Sequence, residues 1–289
     1  MTSVEIIKIG TRESPLAMWQ ARHAQKLLQE KFPSITFELI SRKTQGDKNT
    51  ELPLSKFSDK GVFTKELDDI LLNRQVDCAV HCVKDLPTVL DSRMEIICYL
   101  KREAPNDCIL IDQAKHKNVT TLSQLPHGSK IGTSSLRRKA LLRRFFRAQH
   151  PQAENVDDIY SIEEIRGNLG TRLNKLLKEQ LFDAIMLAYV GVDRLEWTKR
   201  NNENVKDLCV TKLSDIQFPY CVGQGALALV CRSSKWTINS SEQSHDANLQ
   251  SRFSQLNDIY TQLLCEAERS LLRELEGGCK VPVAVRTYR

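Results

Sequence analysis

Short apolar runs alternate with amphipathic stretches along the first hundred residues. β-Branched residues dominate positions 4–9, and behind Pro15 the apolar residues of 16–27 recur at helical spacing. The alternation continues through a predicted strand at 37–40, a helix around 64–73 and a strand at 78–82. Strands that alternate with helices of this length predict an α/β domain with a largely parallel sheet.

A polar, proline-broken segment at 101–107 is the predicted hinge to a second α/β series. Behind Gly223-Gln224-Gly225, a strand at 226–231 is predicted to return to the first domain. Two α/β lobes joined by two crossings would form a cleft at the carboxyl ends of their strands, where ligands commonly bind. The elements predicted in the second series are strands at 108–111, 130–132 and 182–189 and helices at 134–146 and 168–180.

The last sixty residues contain a polar stretch and then a stretch of helical apolar spacing. The polar stretch 233–250 predicts a surface loop. The apolar residues between Phe253 and Leu275 follow a helical period and predict one amphipathic helix, which Gly277-Gly278 ends.

Composition narrows the class of protein. The chain has 289 residues, 41% hydrophobic and 27% charged, which describes a globular protein of two or three domains. No apolar run approaches the roughly 20 residues that span a bilayer, and the first ten residues lack the features of a signal peptide. Nine cysteines without a C-x-x-C pair indicate reduced thiols and no zinc site. We therefore expect a cytoplasmic protein without a metal or a membrane partner.

Arginine stands in three predicted strand-to-helix turns, within 10–14, 132–138 and 166–172. Hydroxyls and unpaired backbone N–H groups at a helix start bind anions, and arginines one turn further on bind carboxylates. For the segment 132–138, a serine N-cap followed by a solvated basic turn explains the sequence equally well. Convergence of all three turns on one polyanionic ligand is the functional interpretation.

Two further segments offer reactive groups. Lys84 and Asp85 follow a predicted buried strand, where a carboxylate can stabilise a developing cation and a lysine can hold a substrate carboxylate. Cys279 stands on a glycine turn beside Lys280, which can make its thiol accessible and partly activated. Taken alone, an ordinary turn and an inert cysteine are the simpler explanations.

Together these segments resemble the hydroxymethylbilane synthase (porphobilinogen deaminase) family in identity and order over nearly the whole chain. The matching motifs are Gly-Thr-Arg-x-Ser at 10–14, Lys-Thr-x-Gly-Asp at 43–47, Phe-Thr-Lys-Glu-Leu at 63–67, Val-His-x-x-Lys-Asp-Leu-Pro-Thr at 80–88, Gly-Thr-Ser-Ser-Leu-Arg-Arg at 132–138, Arg-Gly-Asn-Leu at 166–169, Gly-Gln-Gly-Ala-Leu at 223–227, and Ala-Glu-Arg followed by Glu-Gly-Gly-Cys within 267–279.

The resemblance implies a transferase that deaminates four porphobilinogen molecules and joins them head to tail on a covalent dipyrromethane primer, releasing hydroxymethylbilane. It implies an α/β fold of two periplasmic-binding-protein-like lobes with mixed, largely parallel sheets and a smaller α+β third domain. The implied domains are 1–103 with 223–240, which carries the catalytic aspartate, the arginine-rich 104–222, and 241–289 with the cofactor cysteine. A monomer without nucleic-acid or membrane partners is expected.

The same resemblance implies residue roles. Asp85 would be the catalytic carboxylate and Cys279 the thioether to dipyrromethane. The remaining cofactor-binding residues would be Lys84, Thr133, Ser134, Ser135, Arg137, Arg138, Arg166 and Gly167, and the substrate-binding residues would be Arg12, Ser14, Gln20 and Arg172.

Four departures from the family pattern stand out. Cys82 replaces the usual serine, Val230 stands where glutamate is common, and 145–164 is longer than in the family. The chain also ends ten residues after Cys279, so we expect a shortened third domain. Two other functions remain open: a non-catalytic two-lobe binder of small anions, which would need neither Asp85 nor Cys279, and a nucleic-acid binder, whose affinity would fall steeply with salt. The low aromatic content of 6% disfavours the latter.

Overall fold

A computed structural model describes residues 5–44, 64–199, 202, 205–236, 239–275 and 282–288. These residues divide into two compact units. The first unit holds the described residues up to Glu103 and from Gly225 to Leu275. The second holds Ala104–Gln224 and the described C-terminal residues 282–288.

The described residues form strands and helices that alternate along both units. The strands are β1 (Ile6–Arg12), β2 (Thr36–Arg42), β3 (Cys78–Cys82), β4 (Met94–Tyr99), β5 (Asp107–Asp112), β6 (Lys130–Gly132), β7 (Ser161–Glu163), β8 (Ala184–Ala188), β9 (Leu208–Lys212) and β10 (Leu227–Arg232). The helices are α1 (Pro15–Lys31), α2 (Lys65–Leu72), α3 (Leu136–Gln149), α4 (Leu169–Leu177), α5 (Tyr189–Arg194), α6 (Ser240–Phe253) and α7 (Ile259–Glu274).

The first unit is built on a five-stranded sheet in the order β2-β1-β3-β10-β4. Strands β1, β2 and β3 run parallel, and β10 lies antiparallel between β3 and β4. All six residues of β10 are buried, as a central strand covered on both faces requires. The prediction that the strand after Gly225 returns to the first domain is confirmed.

The second unit repeats this arrangement in the order β7-β6-β8-β5-β9. Strands β6, β7 and β8 are parallel, and β5 lies antiparallel between β8 and β9. In each sheet four of the five strands therefore share one direction. The predicted α/β fold with mixed, largely parallel sheets is confirmed.

Helices cover both faces of each sheet. In the first unit, α1 packs Ala24 and Leu28 against the face of β1 that carries Ile7 and Ile9. Helix α2 covers the opposite face, where Leu67 and Leu71 join a second apolar cluster. In the second unit, α3 and α4 belong to separate clusters in the same way. Burial on both faces leaves the loops at the sheet edges as the places for polar groups.

The surface loop predicted over 233–250 is wrong, because most of that stretch forms α6. The Asn239 side chain caps the helix by accepting from the Ser241 N–H, at 3.0 Å. Asp246 is 1% exposed and pairs with Arg74 and Arg232, both at 2.9 Å. The helix is thus docked partly by ion pairs, which a search for apolar periodicity does not detect.

The single amphipathic helix predicted from Phe253 to Leu275 is also wrong. Phe253 ends α6, and α7 begins after Asp258, whose carboxylate caps it and whose N–H bonds to the Tyr99 carbonyl at 2.8 Å. Helix α7 does not bury its apolar stripe. The side chains it buries are Thr261, Cys265, Glu268, Arg269 and Leu272, whereas Tyr260, Leu263, Leu271 and Leu275 are exposed.

Within the described ranges, no helix is long and apolar enough to cross a membrane.

Candidate active site

The carboxyl edge of the first sheet collects the candidate catalytic groups. Strands β1 and β3 run parallel and pair at Gly10 and Ala79, so their carboxyl ends meet at one edge. Arg12 ends β1, and Lys84 and Asp85 lie in a 3₁₀ turn directly after β3. Both turn residues are half-buried, and neither has a hydrogen-bond or ion-pair partner within the described part of the chain. An available carboxylate and an available ammonium group therefore stand side by side at this edge.

Ser14 and Gln20 lie on α1 beside this edge. The Ser14 hydroxyl caps the helix, accepting from the Ala17 N–H at 3.3 Å. Gln20 is buried, and its amide nitrogen donates to the Cys82 thiol at 3.2 Å. Both predicted substrate-binding residues thus have local structural contacts.

His81 is a buried group at this edge to which the sequence assigned no role. It is 4% exposed, and its Nε2 has no hydrogen-bond partner among the described residues. Burial, with a smaller contribution from the nearby Arg12 guanidinium, lowers the pKa of His81 to about 4. The imidazole is therefore neutral at physiological pH. Its position within the motif at 80–88 was the available signal.

In the second unit, the turn between β6 and α3 is held by its own hydroxyl groups. Thr133 Oγ1 accepts from the Ser135 N–H at 3.3 Å, and Ser135 Oγ caps α3 by accepting from the Arg138 N–H at 3.4 Å. Ser134 Oγ donates to the carbonyl of Ile165, the residue before Arg166. The two predicted anion-binding turns of this unit are thereby joined.

Arg137 and Arg138 are neither solvated nor unpartnered. Both are buried and both contact the carboxylate of Asp107, at 2.7 Å and 2.8 Å respectively. Burial would raise the pKa of Asp107, but the two guanidinium groups outweigh it and hold that pKa below its usual range. Sequence reasoning missed Asp107, whose position in the predicted hinge carried no pattern that linked it to the arginines.

The turn from β7 to α4 brings Arg166, Gly167 and Arg172 together. Gly167 has a φ of +105°, and a Cβ there would lie 2.6 Å from the Thr171 Cγ2, so only glycine fits. Its carbonyl accepts from Arg172 Nε at 2.9 Å. Arg166 Nε is buried without a partner in the described residues. Burial, then the charges of Arg138 and Arg166, lower the pKa of Arg172 to about 10.

These guanidinium groups are close enough to repel one another, and Arg166 retains an unsatisfied buried donor. A carboxylate ligand would satisfy that donor and relieve the repulsion. The predicted attachment cysteine, Cys279, lies outside the described residues. The fold defines a two-unit α/β protein. In the first unit an aspartate stands after a buried strand without a partner among the described residues, and in the second unit the strand-to-helix turns carry arginines suited to carboxylates.

Comparison with known proteins identifies the family to which this two-unit α/β chain belongs. The family model described as porphobilinogen deaminase, dipyromethane cofactor binding domain, matches residues 7–240, and that described as porphobilinogen deaminase, C-terminal domain, matches 262–288. The porphobilinogen deaminase of Desulfitobacterium hafniense is 41% identical over 277 residues, 96% of this chain and 78% of that protein. The porphobilinogen deaminase of Bacillus subtilis is 40% identical over 278 residues, which are 96% of this chain and 77% of that protein. The chain belongs to the porphobilinogen deaminase family.

Membership defines the reaction. The protein is a transferase of tetrapyrrole biosynthesis that deaminates porphobilinogen and joins four molecules head to tail on a cysteine-linked dipyrromethane, releasing hydroxymethylbilane. The residues present fit that cofactor, because the unsatisfied Arg166 Nε and the mutual repulsion at Arg172 call for carboxylates such as its acetate and propionate groups.

Proposed function

We propose that Asp85 is the catalytic carboxylate of this reaction and that Lys84 beside it holds a carboxylate of cofactor or substrate. The observation that supports this is the absence of any partner for either side chain among the described residues, although both are half-buried. A charge kept partly out of water without a partner raises the energy of the protein unless a ligand compensates it.

The remaining roles divide between the two units. Cys279 carries the cofactor, and Arg166 and Gly167 hold it together with Thr133, Ser134, Ser135, Arg137 and Arg138. Arg12, Ser14, Gln20 and Arg172 bind substrate. Arg137 and Arg138 are fixed by Asp107, so they offer the ligand only their remaining N–H groups. Arg166 offers a donor that no group in the described part of the chain uses.

When bound, dipyrromethane supplies the pyrrole carbon to which the first substrate is joined. Loss of ammonia from porphobilinogen leaves a positively charged ring, and Asp85 stabilises that charge as it develops. Because backbone hydrogen bonds hold the turn that carries Asp85 directly after a buried strand, little backbone reorganisation is needed when the charge appears. Lys84 and the arginines neutralise the carboxylates of the growing chain and orient it.

The experiment is Asp85→Asn, a nearly isosteric change, measured by single-turnover elongation of primer-loaded protein at saturating porphobilinogen. We expect normal folding and primer content with elongation slowed on the order of a hundred- to a thousand-fold. Lys84→Gln is the matched control, since it should mainly raise the porphobilinogen concentration needed for half-saturation. A wild-type rate in Asp85→Asn would refute the assignment.

We also propose that the chain acts as a cytoplasmic monomer without nucleic-acid partners, divided into domains at 1–103 with 223–240, 104–222 and 241–289. Size-exclusion chromatography with light scattering tests the monomer. Binding to DNA or RNA that weakens steeply with salt would contradict the absence of a nucleic-acid partner.

A further inference from the structure

Helix α7 carries two adjacent buried charges that reach different parts of the first unit. Glu268 is 2% exposed and accepts from Arg102 at 2.6 Å. Arg269 is 6% exposed, and its Nη2 donates to the backbone carbonyls of Pro87 at 2.7 Å and Thr88 at 3.1 Å. The first contact docks the helix near the end of β4, whereas the second fixes the loop that follows Asp85.

Asp85 is consequently restrained from both directions along the chain. Before it, the Val83 N–H bonds to the Ala226 carbonyl at 3.1 Å, which ties the start of the turn to the residue before β10. The Leu86 N–H closes the turn on the Val83 carbonyl at 3.2 Å. After it, the chain leaves the sheet and reaches Val89, which is 71% exposed. Arg269 holds the two carbonyls between the turn and this exposed stretch.

We infer that Arg269 is a positioning residue for the elongation reaction, which holds the loop 86–88 so that the Asp85 carboxylate keeps its place while charge develops in the substrate. The inference rests on the proposed role of Asp85. A buried guanidinium that donates to two successive carbonyls specifies the path of a backbone, since each carbonyl lies at a defined hydrogen-bonding distance and direction. Displacing a catalytic group by about 1 Å can cost on the order of a hundredfold in rate.

The test uses primer-loaded protein and three variants: Arg269→Met, Arg269→Lys and Glu268→Gln. For Arg269→Met we expect elongation at saturating porphobilinogen to slow at least about tenfold, with half-saturation changed less than about threefold. Arg269→Lys can reach one carbonyl and should have an intermediate rate. Glu268→Gln is the matched control, because it weakens the adjacent buried contact on the same helix and leaves the loop contact intact. It should lower the unfolding midpoint and keep the elongation rate.

A double-mutant cycle separates positioning from general destabilisation. If Arg269 acts through Asp85, adding Arg269→Met to Asp85→Asn should slow elongation no further. Equal rate losses in Arg269→Met and Glu268→Gln, or full additivity with Asp85→Asn, would overturn the inference.

If Arg269→Met does not fold, the rate of Arg269→Lys decides, and a wild-type rate in that variant overturns the inference. A wild-type rate in Asp85→Asn refutes the proposed function instead, while a slow Asp85→Asn beside a fast Arg269→Met refutes only this inference.

Discussion

Arg138 donates two hydrogen bonds to one carboxylate oxygen of Asp107, from Nε at 3.1 Å and from Nη2 at 2.8 Å. Both side chains are buried, and Arg137 contacts the other oxygen of the same carboxylate. Asp107 is the first residue of β5, and both arginines lie in the first turn of α3. This contact joins β5, the antiparallel strand of the second sheet, to the candidate anion-binding turn of that unit. The geometry of the turn therefore depends on one acidic residue.

The first prediction is that Asp107→Asn lowers the free energy of unfolding by about 3–5 kcal/mol, because removal of one partner leaves buried charge uncompensated. Urea unfolding measures the change. Asp157→Asn is the matched control, since its pair with Arg143 is 38% and 44% exposed and should contribute less than about 1 kcal/mol. Equal losses in the free energy of unfolding for the two substitutions would show that the buried pair contributes no more than the exposed pair.

The second prediction concerns cofactor attachment. Cys279→Ser should yield protein without covalent dipyrromethane, because a hydroxyl is a far poorer nucleophile than a thiolate. Intact mass measures the two-ring increment. Cys82→Ser is the control and should retain it, since its thiol contacts Gln20 and is not the proposed attachment point. An adduct that persists in Cys279→Ser would move the assignment to another thiol.

The third prediction distinguishes the role of Arg166 in binding from the role of Arg138 in stability. Arg166→Gln should weaken capture of cofactor and growing chain by about 1.5–3 kcal/mol, roughly ten- to a hundredfold, through loss of a charge-assisted contact. Stability should change little, because Arg166 Nε has no partner in the described residues. The fraction of primer-loaded protein and the half-saturation concentration measure the effect, with the exposed Arg147→Gln as control. Arg138→Gln should differ by destabilising the fold, since it removes a partner of Asp107. Normal loading and elongation in Arg166→Gln would exclude it from the site.

The fourth prediction is a pH dependence. The pKa of His81 is about 4 in the folded protein, against about 6.5 when unfolded, so protonation favours the unfolded state. The stabilisation is complete above about pH 6.5 and is lost as the pH falls towards 4. Between pH 7.5 and 5 this group should account for about 2 kcal/mol of lost stability. His81→Gln should flatten that part of the profile, whereas the exposed His127→Gln should not. An unchanged profile in His81→Gln would contradict the assignment.

Local sequence determined most of the regular framework. The predicted strand at 78–82 coincides with β3, and the strand after Gly225 entered the first sheet as expected. These predictions succeeded because a short, nearly continuous apolar run is typical of a strand that is buried on both faces of a sheet. The order of the family motifs likewise identified the candidate site residues before their geometry was known.

Tertiary structure alone decided which charges find partners. Asp107 and Arg138 lie 31 residues apart in sequence, and Arg74 and Asp246 lie 172 apart. Arg269 likewise reaches across the first unit to the loop after Asp85. No local period links such residues, because a buried ion pair forms wherever the fold brings opposite charges together. The sequence therefore predicted where the turns and the reactive groups stand. The folded chain decided that Arg138 pairs with Asp107, that α6 is a helix, and that Asp85 and Arg166 Nε lack partners among the described residues.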